Sequence, residues 1–402
     1  MKEKYTYRCV SAQVRFQENA IETFAKNTEI SYSFRVQRDG YLGVHYQEGE
    51  MTDEEGYRLA TENLKRKRPY KYAPETGVRE RDKSEQEMSD RELLDFGREL
   101  ITTLHEKYPD FTLSGSLHSS REESGMYNDA GLSYRNRDCT YGMDIIFKHK
   151  DSKDLMDGSF SYGFRRLEKE KAYRTAENYL SAFVKKAELP EELIIQMPVY
   201  GFIGKLVNQL EGENMARGTS LLSGRIGEKV FSEKLTLYND RSDLTTWATP
   251  FFDGEGVVME GDRQVFIDKG VVVRAYADKA TAERYGIEHT ATAGRVFADI
   301  PTNGNFSGYI ERSEKTTKEL LQGRLSVVPL YYDGGGFNEK GDYVMPVQRA
   351  YLCDGEKLIG MLPEFTMTSN LFDMFGDDFI GIGSDEPVYN DKCILIRMKY
   401  GH

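Results

Sequence analysis

The stretch "FIGKLVNQLEGENMARGTSLLSGRIGE", residues 202–228, opens as a helix and ends as a loop. Ile203, Leu206, Val207 and Leu210 recur at helical spacing, which makes one face apolar. After Glu211 the chain becomes rich in Gly, Ser and Arg, a composition that marks irregular backbone. An apolar helix running into such a loop is a common frame for an active site. This helix, however, carries no His, Cys or Asp, and its first acid is Glu211 at its end. The segment has the layout of a site without a group that holds a metal or attacks a bond.

On the amino-terminal side the pattern alternates. In "EISYSFRVQRDGYLGVHYQ" Ile30, Tyr32, Phe34 and Val36 fall on one face of a strand, and Asp39-Gly40 is a hairpin turn in which Gly accepts positive φ. "MTDEEGYRLATENLKRKR" reads as a helix capped by Thr52 or Asp53, with acids in its first turn. The cations of "KRKRPYK" suit a helix C-terminus ahead of Pro69 better than a nucleic-acid patch. Residues 74–90, "PETGVRERDKSEQEMSD", are polar and read as a solvated loop. "SDRELLDFGRELITTLHEKYP" is an amphipathic helix in which Ser89 and Glu92 form a capping box. Strands follow, with Asn128-Asp129 and Gly131 turning the chain between two of them, and then a helix, "KEKAYRTAENYLSAFVKKAEL", is expected to run to Pro190.

Beyond that point the sequence is mostly strand. Turn signals recur at Asn239-Asp240, Asp253-Gly254, Glu260-Gly261, Lys269-Gly270, Asp333-Gly334 and Asp354-Gly355. Short helices are expected at "DKATAERYG", "TTKELLQG" and "TSNLFDMF". The predicted class is therefore α+β: a mixed α/β amino-terminal domain over 1–190, then a larger, strand-rich, mostly antiparallel domain over 191–402 that carries the larger sheet.

Composition narrows the function. A net charge of -12 and a pI near 5.2 disfavour general binding to phosphate backbones. "MKEKYTYRCV" has no signal-peptide core, and no apolar run approaches the roughly 20 residues of a membrane helix, so a cytoplasmic chain is expected. Cys9, Cys139, Cys353 and Cys393 are far apart and form no CxxC pair, which fits reduced structural thiols. His105-Glu106 has no second His at the spacing a zinc helix needs. The Gly334–Gly336 run lacks the Lys-Ser/Thr of a phosphate loop, and no G-x-S-x-G elbow supports serine-hydrolase chemistry.

Taken together, several segments resemble the TldD/PmbA family, known as modulators of DNA gyrase. "RVQRDGYLGVHYQ" and "GMYNDAGLSYR" are similar to that family's "R-V…G…G" and "N-S-x-G" strands. "GTSLLSGRIGEKVFSEKLTLYND", "PFFDGEGVV", "VFIDKGVVVRAYADKATAERYGIEHTATAGR" and "DYVMPVQRAYLCDGEKLIGM" follow in the family's order and spacing. In the family's catalytic branch the helix before the "G-T-S…S-G…G-E" segment carries HExxxH. Two histidines hold zinc, the glutamate is the general base, and a cysteine near the C-terminus completes the site. Zinc there lowers the pKa of its bound water to roughly 7. The corresponding positions here are Ile203, Gly204 and Asn208, and the carboxy-terminal "DFIGIGSDEPVYND" has no thiol. Cys393 lies further on, in "CILIRM", and reads as a core residue.

The resemblance therefore implies the PmbA/TldE branch: a chain without catalytic residues or a metal of its own, paired with a TldD-type metallopeptidase subunit that supplies zinc, or with itself as a dimer, and helping to hold a peptide substrate. The candidates for a peptide groove or a subunit interface are Asn208, Glu211, Arg217, Ser220 and Arg225. Asn208 reads equally as a groove wall or a surface amide. Arg217 and Arg225 suit a peptide carboxylate, and also suit salt bridges within the protein or between subunits. Two rivals stand beside this reading: a stand-alone homodimeric peptide- or protein-binding module without peptidase activity, and an enzyme of zinc-free chemistry, for which no converging nucleophile and base is visible.

Overall fold

The structure is a computed structural model that describes residues 1–402 except 243–248, 295–297, 305, 390 and 402. Arg295 and Asn390, which close or punctuate two of the quoted segments, lie outside the described residues.

Alternation in the first 164 residues builds one eight-stranded sheet. Its long strands are β1 (Lys2–Gln17), β2 (Ala20–Arg38), β3 (Tyr41–Glu48) and the hairpin Phe111–Asn128 with Leu132–His149, paired in the order β3, β2, β1, 111–128, 132–149. Asp39 and Gly40 turn β2 into β3 with φ of 53° and 79°, the left-handed pair that a two-residue hairpin needs. Helix α1 (Asp53–Glu62) is capped by Thr52, and α2 (Asp90–Lys107) by the full Ser89–Glu92 box. α1 covers Phe34 and Val36 toward one end of the sheet, and α2 covers Val14 and Phe16 toward the other end of the same face.

The 74–90 segment departs from the solvated loop expected of it. Gly77–Asp82 is a strand, parallel to residues 132–137. Arg79 and Arg81 both reach the buried Asp262, and Arg81 also donates to the Thr249 carbonyl at 2.9 Å. The charged side chains that read as solvated are paired across the molecule. The first proteolytic cut is accordingly expected in the loop after His149, where Leu155 is 93% exposed. Limited chymotrypsin digestion should release a break at Leu155 before any in 77–82; early cleavage in 77–82 would show that strand to be loosely held.

Helix α3 (Lys169–Phe183) stops short of the predicted Pro190. Lys185 and Ala187 instead exchange main-chain hydrogen bonds with Met361, at 2.8 Å each, and a tertiary pairing ends the helix. Asn239-Asp240 is likewise no turn: both residues end the buried strand Leu237–Asp240. Asn239 accepts from the Ser307 amide, and Asp240 accepts from the Ser242 amide just beyond.

Residues from 193 onward form a second eight-stranded sheet, of mostly antiparallel pairs, so the two largest sheets have equal strand counts and the latter half does not hold the larger one. Strands 326–332, 193–198, 393–400, 365–370 and 342–353 pair in that order, and 342–353 pairs back with 326–332, which closes a ring of five. Inward residues such as Ile195, Val327, Val347, Met367 and Ile396 fill it. A four-stranded and a two-stranded sheet, and short helices at Lys279–Tyr285, Thr317–Leu321 and Leu371–Phe375, complete this half. The core beneath α2 and α3 is shared: Val328, Tyr351 and Cys393 of the second half pack with Phe147, Phe160 and Tyr179 of the first. No described helix is long and apolar enough to cross a membrane.

Candidate functional site

Strand 193–198 runs directly into helix α4 (Tyr200–Gln209), and the Val199 amide donates to the Lys392 carbonyl at 3.1 Å, which joins the helix start to the last strand. Phe202, Ile203 and Leu206 face the core, with Phe202 edge-on to Tyr343. A second helix, α5 (Gly212–Arg217), follows at once. It was hidden in the sequence because Gly212 and Gly218 make its six residues look like loop.

The five candidate residues divide into two kinds. Glu211 and Ser220 hold the backbone. Glu211 caps α5 by accepting from the Asn214 amide at 2.7 Å, and its other oxygen accepts from the Asn303 side chain at 2.9 Å. The Ser220 hydroxyl donates to the Gln209 carbonyl at 2.6 Å and accepts from the Leu222 amide at 2.9 Å. Gln209, which sequence reading passed over, completes this clasp by accepting from the Leu221 amide at 2.8 Å. Asn208, Arg217 and Arg225 lie toward solvent. Asn208 is exposed, Arg217 pairs with Glu213 one turn back at 3.1 Å, and Arg225 pairs with Glu228 at 3.2 Å beside the Phe372 ring.

The donor set at the resemblance's zinc positions does not fit a metal. Ile203 is apolar and buried, Gly204 has no side chain and faces open space, and Asn208 offers one amide. Cys393 is 3% exposed, and its thiol donates to the Val388 and Asp391 carbonyls. Burial pushes that thiol well above its usual range, which keeps it protonated and a poor ligand or nucleophile. Among the described residues no group of three His, Cys, Asp or Glu side chains is placed to hold a metal ion.

A cavity of about 490 Å³ opens at the start of α4, beside Pro198 and Tyr200. Its opposite wall is the strand Gly158–Phe164, of which Ser159 through Phe164 all line the space. Among the described residues this strand pairs on one side only, with residues 141–147, and its other edge presents main-chain donors and acceptors that no described strand takes up. Tyr332 and Tyr389 close the remaining side. Tyr389 has φ of 62°, an unusual conformation for a bulky residue, and its hydroxyl donates to the Pro329 carbonyl. Glu386 sits at the floor, bonded to Arg312 at 2.5 Å and Lys171 at 3.4 Å. Burial raises its carboxyl, but those two cations outweigh it and hold the group below the usual range. A larger space of about 1140 Å³ along the outer face of α3 shares Glu386, Lys171, Tyr179 and Tyr389 with this one. None of the five sequence candidates lines the 490 Å³ cavity. What the cavity offers is a free strand edge, aromatic walls and a neutralised floor, a surface suited to extended backbone.

Residues 193–393 match the model of the PmbA/TldA metallopeptidase C-terminal domain. A metalloprotease of Archaeoglobus fulgidus is 25% identical over 92% of this chain and 89% of its own length. Metalloprotease PmbA of Escherichia coli O157:H7 is 28% identical over 50% of this chain and 43% of its own. TldE from Thermococcus kodakarensis shares the fold with a TM-score of 0.82, at 20% identity, covering 99% of this chain and 96% of that one. A Thermotoga maritima protein described as a modulator of DNA gyrase gives a TM-score of 0.81, at 16% identity, covering 99% and 95%.

Proposed function

The chain belongs to the PmbA/TldD metallopeptidase family, and we propose that it is a non-catalytic, PmbA/TldE-like subunit that holds extended, unfolded peptide for a zinc-bearing TldD-type partner in the cytoplasm. The observation that carries this reading is the cavity along the free edge of Gly158–Phe164. An added strand gains main-chain hydrogen bonds at every second residue without demanding a particular sequence, which suits a protein that handles unfolded chains. The Ile203, Gly204 and Asn208 positions support the division of labour, since zinc and the general base then come from the partner.

The test is co-expression with a family subunit that carries HExxxH, followed by sizing, turnover of an unfolded peptide, and hydrogen exchange with that peptide bound. Turnover is expected in the complex and not from this chain alone, with new protection at 159–164. Tyr200 is 70% exposed, and Tyr200→Ala is expected to weaken peptide binding by about 2- to 10-fold while leaving the fold intact, the range of one aromatic contact. Arg217→Glu should reduce assembly or turnover and leave the isolated chain within ~0.5 kcal/mol of its original stability, because Arg217 is 63% exposed. Hydrolysis by the isolated chain would overturn the reading. Peptide binding without any such partner would favour a stand-alone binding module.

A further inference from the structure

The space of about 1140 Å³ along the outer face of α3 is the larger of the two and has no part in the peptide reading so far. Arg174, Asn178 and Ser181 of α3 line one side, and Lys185 lies just past the end of the helix. Residues 384–389 and the start of strand 358–361 supply the rest, and the Leu358 amide donates to the Asn178 side chain at 2.8 Å, which ties that strand to α3. Lys171, Glu386 and Tyr389 line this groove and the 490 Å³ cavity alike, so the two meet there. From Lys171 to Lys185 the groove is about 20 Å long at 1.5 Å per residue, room for about six residues of extended chain.

Its charges are unevenly matched. Glu177 is paired with Lys107, Glu356 with Lys318 at 2.9 Å, and Glu386 with Arg312 and Lys171. Asp385 accepts from the Thr317 amide and hydroxyl at 2.7 and 2.8 Å. Among the described residues Glu168 is the one lining acid that is exposed and unpaired, whereas the cations Arg174, Lys185 and Lys357 are all exposed and have no ion-pair partner. A chain of net charge -12 repels anions over most of its surface, and free cations gathered in a groove attract them locally. Pro387 and Val388 add apolar surface beside those cations.

We propose that this groove takes the continuation of the peptide held at Gly158–Phe164 and selects acidic side chains in it; the inference rests on the peptide reading above. Continuity with the cavity fixes the occupant as the same chain, and the unmatched cations fix its character.

The experiment is fluorescence anisotropy on the full chain with labelled unfolded peptides. One is a neutral six-residue core. The others are that core extended by six residues bearing either three Glu or three Gln, at its N-terminal end in one pair and at its C-terminal end in a second pair. At one of the two ends the Glu extension is expected to bind about 10- to 50-fold more tightly than the Gln extension, a gain that shrinks in high salt. Arg174→Glu combined with Lys357→Glu should abolish the preference and leave the affinity of the core unchanged, because neither residue lines the 490 Å³ cavity. Circular dichroism checks that the double variant is folded, as two exposed substitutions should leave it. Equal binding of Glu and Gln extensions at both ends, or a Glu preference that survives in the double variant, overturns the proposal. Tight binding of inorganic phosphate with no Glu preference among the peptides assigns the groove to a free anion and also overturns it. A core peptide that gives no hydrogen-exchange protection at 159–164 counts instead against the peptide reading, and the comparison of Glu with Gln extensions still judges the groove.

Discussion

Asp253→Ala is expected to destabilise the fold by about 3–5 kcal/mol, the cost of breaking a buried charge pair by removing one partner. Asp253 is fully buried in the "PFFDGEGVV" segment. One oxygen accepts from the Glu255 and Val257 amides at 2.8 and 2.9 Å, and the other from the Ala293 amide at 2.9 Å. Arg241, also fully buried, lies close enough to act on its charge and donates to the Pro250, Phe252 and Ala291 carbonyls. The pair joins the 250–258 loop to the 291–293 segment. Alanine leaves three amides without their acceptor and the Arg241 charge without this counter-charge in a dry interior. Asp253→Asn should also be costly, because its NH2 group then faces the Ala293 amide donor. Urea unfolding of Asp253→Ala, of Arg241→Met and of the double variant checks this, with a coupling of about 1–3 kcal/mol expected between the sites. A loss below about 1 kcal/mol for Asp253→Ala would show that water replaces the carboxylate and that the pair is dispensable.

Such residues mark the limit of what the sequence discloses. Asp253 reads there as half of an Asp-Gly turn, and the turn is real, but its role depends on Arg241 and Ala293, which no local pattern joins to it. Elements whose signals are local came through: the Ser89–Glu92 box, the Asp39-Gly40 hairpin, and the turn at Lys269-Gly270, with φ of 45° and 82°. Elements set by distant partners did not. Gly77–Asp82 hides its pairing because Arg79 and Arg81 find Asp262 far along the chain. α3 ends where Met361 takes over its backbone. The five-strand ring closes through a pairing of 326–332 with 342–353 that alternation alone cannot specify. The 490 Å³ cavity is the extreme case, since its walls come from the 159–164 strand, Pro198, Tyr332 and Tyr389. The loop of the 202–228 stretch carries part of the family resemblance, yet a different surface forms the cavity. Of the groups in that stretch, Gln209, Glu211 and Ser220 serve to hold α4, α5 and the following loop in place.

Stability is expected to fall as pH rises from about 5 to 8, and Glu255→Gln should remove most of that slope. Glu255 sits at the seam between the first sheet and the second half. Its carboxylate accepts from the Tyr70 hydroxyl at 3.1 Å and from the Lys279 amide at 3.0 Å. Next to it the buried pair Glu3–Arg35, at 3.0 Å, ties β1 to β2, and Arg35 also donates to the Gly254 carbonyl at 2.7 Å. Burial, with the nearby Asp253 charge adding to it, pushes the Glu255 carboxyl up to about 7 from an ordinary 4.5. The folded state therefore holds a proton that the unfolded chain has already released over this range. The stabilisation is complete below the unfolded value and is lost as pH climbs through the folded one. A gap of that size is worth about 3 kcal/mol. Glutamine stays uncharged throughout, so its carbonyl can accept from Lys279 while its NH2 group meets the Tyr70 oxygen at any pH. Thermal unfolding at pH 5.5, 6.5, 7.5 and 8.5 is the measurement. Wild-type protein should lose stability steadily across the series, and Glu255→Gln should stay level and exceed it at pH 8.5. Parallel curves for the two proteins would show that Glu255 is ionised in the fold across this range and that the seam tolerates its charge.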